Sequence, residues 1–201
     1  DFIRGGRGRD LLFGEAGNDQ VFGDLHNDTV NGGADNDTVK GNAGEDRIFA
    51  GSGNDLVDGG SDADRIFGDA GNDIMFGGGG ADFIRGGSGA DSIHGDAGAD
   101  IIGGDEGNDT IRGGADNDTI NGGADNDLLT GDIGDDGISG FEGDDLIRGG
   151  AGSDLLVGHA GADLIFGQDG QDTLVGGGGT SAQPDGTDTL DGGAGADRLD
   201  G

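Results

Sequence analysis

A chain of 201 residues with 53 Gly, one Pro, no Cys and a formal net charge of -32 excludes collagen, which needs proline-rich triplets, and excludes a disulfide-stapled fold. The same charge argues against nucleic acid and anionic membranes as partners, since both repel an acidic surface, and points to cations. No stretch approaches the roughly 20 apolar residues of a membrane span, and 30% hydrophobic residues describe a chain that stays disordered until a ligand neutralises it.

Taken in order, the sequence is one period repeated. Asp1, Asp10, Asp19, Asp28, Asp37, Asp46, Asp55, Asp64, Asp73, Asp82, Asp91, Asp100, Asp109, Asp118, Asp127, Asp136, Asp145, Asp154, Asp163 and Asp172 stand nine residues apart without a slip. The next step is 16 residues long, across GGGGTSAQPDG with the single proline, Pro184, and the register resumes at Asp188 and Asp197. This predicts an uninterrupted repeat array over 1–177, an inserted surface loop over 178–187 and resumed repeats over 188–201. Because it opens at Asp1 and stops inside a repeat, the chain is expected to be a section of a longer array.

Two places after each Asp stands an aliphatic residue, from Ile3, Leu12 and Val21 through Leu174, Leu190 and Leu199, with Met75 the one thioether. Five places before the Asp stands Gly in every complete repeat except the one with Ala50. Two places before it stands Gly, or His26, Asp35, Asp62, Asp116 or Asp125. Those types tolerate left-handed backbone, so that column is expected to have φ > 0. The place four before the Asp admits Asp24, Asn42, Phe141 and His159 and is expected to make no such demand. The glycine-rich half of each repeat then reads as turn, and the three residues centred on the aliphatic one as a short strand pointing out, in, out. One buried side chain per strand is too little alone, so strands must stack into two opposed parallel sheets around a thin core.

The consensus GGxGxDxUx, with U aliphatic, is carried by GGAGADRLD at 192–200, GSGNDLVDG at 51–59 and GGSGADSIH at 86–94. It resembles the nonapeptide of the repeats-in-toxin, or haemolysin-type calcium-binding, family over nearly the whole chain. The resemblance implies an all-β fold, a right-handed parallel β-roll (a β-solenoid) with two nonapeptides per coil. About eleven coils at about 4.8 Å spacing would make a rod on the order of 50 Å long. It also implies Ca2+ as cofactor, about one ion per interior repeat, each held between a turn and the turn one coil later by the Asp of both and by turn carbonyls. That pairs Asp10 with Asp28 and Asp28 with Asp46 on one edge, and Asp1 with Asp19 and Asp19 with Asp37, onward to Asp163, on the other. Asp188 and Asp197 are assigned the same role. Calcium prefers six to eight hard oxygens, which carboxylates and glycine carbonyls supply. Two files of ten aspartates leave eighteen interior gaps, and as many divalent ions would roughly balance the charge of -32. Without ions the stacked carboxylates repel, so folding is expected to require calcium.

Other readings compete with this one. An isolated Asp after GxG could merely cap its turn. No EF-hand spacing occurs, and His26, His94 and His159 are too far apart in repeat number to form a zinc site. On the outer face, Phe13, Phe22, Phe49, Phe67, Phe76 and Phe166 follow the aliphatic column. They either support one another between coils or form an adhesive stripe, and Phe49 and Phe67, one coil apart, should touch. Arg4, Lys40, Arg85, Arg112 and Arg148 share that place as solvated countercharges. No catalytic residue is expected. Two functions stay open. One is a structural module of an exported bacterial protein, folding on calcium outside the cell as part of a surface layer, fibre or adhesin, with self-association or cell-surface contact as partner classes. The other is the carboxy-terminal roll of a secreted protease, lipase, epimerase or cytolysin, assisting its export and folding.

Overall fold

The computed structural model describes residues 1–177 and 186–201; the loop expected over 178–187, with Pro184, lies outside the described residues but for its last two positions. Among the described residues twenty-two strands run from β1 (Phe2–Arg7) to β22 (Arg198–Asp200), one after each register Asp. Odd-numbered strands form one 11-stranded sheet and even-numbered strands another, every neighbouring pair being parallel. Partners are 18 residues apart, as in Ile3↔Val21 and Val21↔Val39. Two nonapeptides therefore complete one coil of a β-solenoid.

The aliphatic column forms the core. Val21, Val30, Val39 and Ile48 through Ile165 and Leu174 are fully buried or 1% exposed, with Met75 among them. Ile3, Leu12 and Leu190 pack against this file while partly exposed. Each strand contributes one aliphatic side chain to this thin core, β6 (Arg47–Ser52) adding Ala50, and stability grows coil by coil. The register survives the long step in sequence: Ile165 pairs with Leu190 and Leu174 with Leu199.

Two local expectations are corrected. Most strands are six residues long, not three, and take in the glycine places. In β3 (Gln20–Leu25) and β5 (Thr38–Ala43) the pairs Val21↔Val39 and Phe22↔Lys40 are followed, after one skipped position, by Asp24↔Asn42 and Leu25↔Ala43. A ladder between identical coils is made by backbone alone, so a stretch without side chains can still pair.

The place four before the Asp also proves left-handed: φ is 79° at Asp24, 77° at Asn42, 79° at Phe141, 76° at His159 and 78° at Glu15. The column two before the Asp is left-handed as expected, with His26 at 80° and Asp125 at 75°. Each corner thus uses two left-handed residues, and the first of them tolerates more residue types because its side chain points outward. Phe141 stacks on His159 with ring centroids 4.9 Å apart, and Asp24 binds Arg4. An L residue there still costs roughly 1–2 kcal/mol. Replacing the exposed Glu15 by glycine should therefore raise stability by about 1 kcal/mol, read as a higher denaturant midpoint in saturating calcium. A lower midpoint would show that the conformation is not strained.

Candidate metal centre

The corners decide where the backbone donors point. On leaving the corner, the N–H of the residue after each Asp donates back to the Asp carbonyl one coil earlier, as Thr29 does to Asp10 at 2.9 Å and Thr38 to Asp19 at 2.8 Å. Inside the corner the direction reverses: the Gly17 N–H donates forward to the Ala34 carbonyl at 3.1 Å. The Asp N–H also points forward, where no carbonyl faces it, and the carboxylate of the next coil takes its place. Asp10 N–H donates to Asp28 Oδ1 at 2.8 Å, Asp28 to Asp46 at 2.7 Å and Asp19 to Asp37 at 2.8 Å. The series runs on to Asp163 with Asp188 at 3.0 Å and Asp172 with Asp197 at 3.1 Å. Every pairing of aspartates expected from the sequence is therefore a contact, and a hydrogen bond joins each pair.

One oxygen of each carboxylate is used in this way and the other is not. From Asp10 to Asp172, Oδ2 is buried with no hydrogen-bond partner, and from Asp19 to Asp172 the residues are 1–3% exposed. A buried carboxylate oxygen without a donor is strongly unfavourable. Each lone oxygen but that of Asp55, where Ala50 stands, lies against the glycine five places before it. A Cβ on Gly104 would lie 2.1 Å from Asp109 Oδ2 and 2.5 Å from the Gly122 carbonyl oxygen; on Gly23 it would lie 2.6 Å from Asp28 Oδ2 and 2.9 Å from the Gly41 carbonyl oxygen. Glycine predominates in this column for space, not for φ: a carboxylate oxygen and a carbonyl oxygen already fill the place a side chain would take, and Ala50, fully buried, is the exception.

In the absence of a cation, burial pushes up the register carboxyls from Asp28 to Asp163. Asp64 is raised to about 8, Asp109 and Asp127 to about 7, and Asp100 and Asp145 to about 6. Loss of water is the largest cause in each. The backbone N–H pulls the other way, and the neighbouring Asp in the file adds to the rise for Asp64 and Asp109. A cation beside the lone oxygen would reverse that balance.

Against known families, residues 1–30, 22–57, 50–84, 76–111, 103–138, 130–156, 139–174, 148–181 and 185–201 match the RTX calcium-binding nonapeptide repeat. The chain belongs to that family. No curated protein matches the chain. Membership in the RTX repeat family implies calcium binding, and the residues present fit such an ion: hard oxygens only, half of them anionic, one left without any partner. Among the described residues no three His, Cys, Asp or Glu side chains converge. An ion in this RTX roll would draw its remaining ligands from turn carbonyls, which glycine leaves unshielded.

A column that sequence reasoning missed lies one place before the Asp. There the side-chain oxygen of one coil accepts the backbone N–H of the next: Asn36 donates to Asn18 Oδ1 at 3.1 Å, Asn54 to Asn36 and Asn72 to Asn54 at 2.8 and 2.9 Å, and Asn126 to Asn108 at 2.9 Å. The recurrence of Asn at that place was a readable signal. On the outer face Phe49 and Phe67 do stack, with centroids 5.2 Å apart. Four of the five cations expected to be solvated are paired: half-buried Lys40 with Asp58 at 2.8 Å, and exposed Arg112 with Asp132 at 2.7 Å, Arg85 with Asp105 and Arg4 with Asp24; Arg148 has no ion pair among the described residues. A long side chain one coil away from a carboxylate reaches it directly. Exposed ion pairs of this kind contribute little to stability, because solvent screens them.

Proposed function

We propose that this RTX roll is a calcium-loaded structural module of an exported bacterial protein, disordered where calcium is scarce and stiffened by calcium outside the cell. The observation that carries the reading is the file of lone Oδ2 atoms on each edge, buried without a partner from Asp10 to Asp172. The register aspartates, from Asp1 to Asp172 and again at Asp188 and Asp197, are the proposed ligands, with turn carbonyls completing each shell. Asp1 is exposed, and Asp10, Asp188 and Asp197 are half-buried, so the interior aspartates are the strongest of them. Extracellular calcium modules bind at roughly 10⁻⁴ to 10⁻³ M, a range that couples folding to export. A continuous array of coils suits a stiff spacer in a surface layer, fibre or adhesin.

Titration with calcium, followed by circular dichroism and sedimentation with magnesium as control, tests the reading. A cooperative gain of β signal and a more compact particle are expected with calcium near millimolar and not with magnesium. A chain equally folded in chelator at neutral pH would leave the aspartates as backbone acceptors only and would overturn the reading.

A further inference from the structure

Away from the corners the roll presents its two sheet faces, and one of them carries no acid. In the even-numbered sheet, ten successive strands from Leu11 to Val175 place one residue outward on each side of the buried aliphatic. None of these is Asp or Glu, in a chain that has 42. The odd-numbered sheet puts Asp58 and Asp191 in the same places, and its Arg4, Lys40 and Arg112 find acids within the chain. On the even face Arg47 and Arg65 stand side by side as register partners. Both are exposed, and neither has an ion pair among the described residues. Leu11, Phe13, Ile101 and Leu155 are at least half exposed on the same face.

The outward residues of this face match one another strand by strand. Arg47 shares its strand with Phe49 and Arg65 with Phe67, and the next strand reverses the order, with Phe83 before Arg85. The Arg47 guanidinium lies 4.9 Å from the centre of the Phe49 ring and 5.8 Å from that of Phe67, close enough for the two kinds of side chain to attract. The strand after these carries Ile101 with Gly103. A Cβ on Gly103 would meet nothing closer than Asp105 Oδ1 at 3.9 Å, so neither space nor backbone requires glycine there. Its place lies in a groove of about 570 Å³ lined by Phe83, Arg85, Ile101, Asn121 and Phe141. Thr29 stands with Asn31, Thr119 with Asn121 and Leu155 with Val157. We propose that this face docks on the same face of a second copy of the chain, the two rolls lying side by side and parallel about a two-fold axis along the roll. Such an axis turns each strand against its own counterpart, so the residue before the aliphatic meets the residue after it. Arg then meets Phe at three successive coils, the Ile101 side chain enters the Gly103 groove, hydroxyl meets amide and apolar meets apolar. No row sets a charge against its like, and no acid loses its water. Ten strands about 4.8 Å apart, each three residues of about 3.3 Å wide, give a face of about 500 Å². That is close to the roughly 600 Å² a side at which specific complexes begin, so the pair is expected to be reversible. The proposal rests on the calcium reading above only in that the roll must be folded.

The test is sedimentation equilibrium over a range of chain concentrations in calcium, with circular dichroism on the same samples. A monomer–dimer equilibrium of the folded chain is expected. Gly103→Glu puts an acid into the groove, where a side chain has room, so the circular dichroism should stay that of the parent while the dimer weakens by more than about tenfold, because the carboxylate would be stripped of water. Thr130→Glu, at the equivalent outward place of the odd-numbered sheet, should leave the dimer unchanged. Chains carrying Ile101→Cys and Gly103→Cys, mixed and oxidised, should cross-link to each other in preference to themselves. A dimer indifferent to Gly103→Glu, or weakened as much by Thr130→Glu, overturns the proposal, and so does cross-linking of each chain with its own kind. A chain that calcium folds but that stays monomeric overturns the interface and leaves the calcium reading standing. A chain folded and dimeric in chelator at neutral pH does the reverse.

Discussion

Stripped of calcium, the chain is expected to gain β structure as the pH is lowered from 8 to 5. In the metal-free roll burial raises Asp64 to about 8, Asp73 and Asp118 to about 7 and Asp154 to about 6, against an ordinary value of about 3.9 in an unfolded chain. A group whose pKa is raised by folding binds its proton more tightly in the folded state. Its contribution is fully present below about pH 4 and is lost as the pH rises through 6 to 8. A tenfold gain in proton affinity on folding is worth about 1.4 kcal/mol, and the groups are too close to add independently, yet many act in the same direction. Protonation also relieves the repulsion along each file. With calcium bound, the sign inverts, because protons and calcium compete for the same carboxylates; stability should then fall as the pH drops through 6. Circular dichroism melts at several pH values, with and without calcium, would show two opposite slopes. A metal-free chain whose stability rises with pH would mean that the buried carboxyls are solvated in ways this structure excludes.

Asp109 separates the two tasks of a register carboxylate. Its Oδ1 accepts the Asp91 N–H at 2.8 Å, while its Oδ2 has no partner. Asp109→Asn keeps an acceptor for that N–H and removes the charge, so in chelator it should be neutral or stabilising. In calcium it should raise the midpoint of calcium-induced folding several-fold, since an anionic ligand is gone from the middle of the file. Asp109→Ala loses both functions, and an unpaired buried N–H costs about 1–3 kcal/mol. It should therefore be less stable than the Asn variant by that amount in either condition. Equal calcium midpoints for Asp109→Asn and the parent chain would make the carboxylate a backbone acceptor and nothing more.

Much of this was legible in the residues. The buried column from Val21 to Leu174 was visible as an aliphatic residue every nine, since a position buried on one face tolerates no polar side chain. The left-handed column at His26 and Asp35 was visible because only certain residue types replace glycine there. The left-handed place at Asp24 and Phe141 was hidden, because outward side chains can bear that conformation in almost any residue type, and variety in a column does not reveal its φ. The six-residue strands were hidden for a related reason: glycines pair through backbone, which leaves no pattern in sequence.

By itself the sequence determined the period, the two files of aspartates, the core column and a charge of -32 that favours cations. Only the tertiary structure decided that each interior carboxylate gives one oxygen to a backbone N–H one coil earlier and leaves the other buried without a hydrogen-bond partner. That division follows from the reversal of N–H direction at a corner and from the approach of a chain segment 18 residues away, and neither is a property of any nine residues read alone.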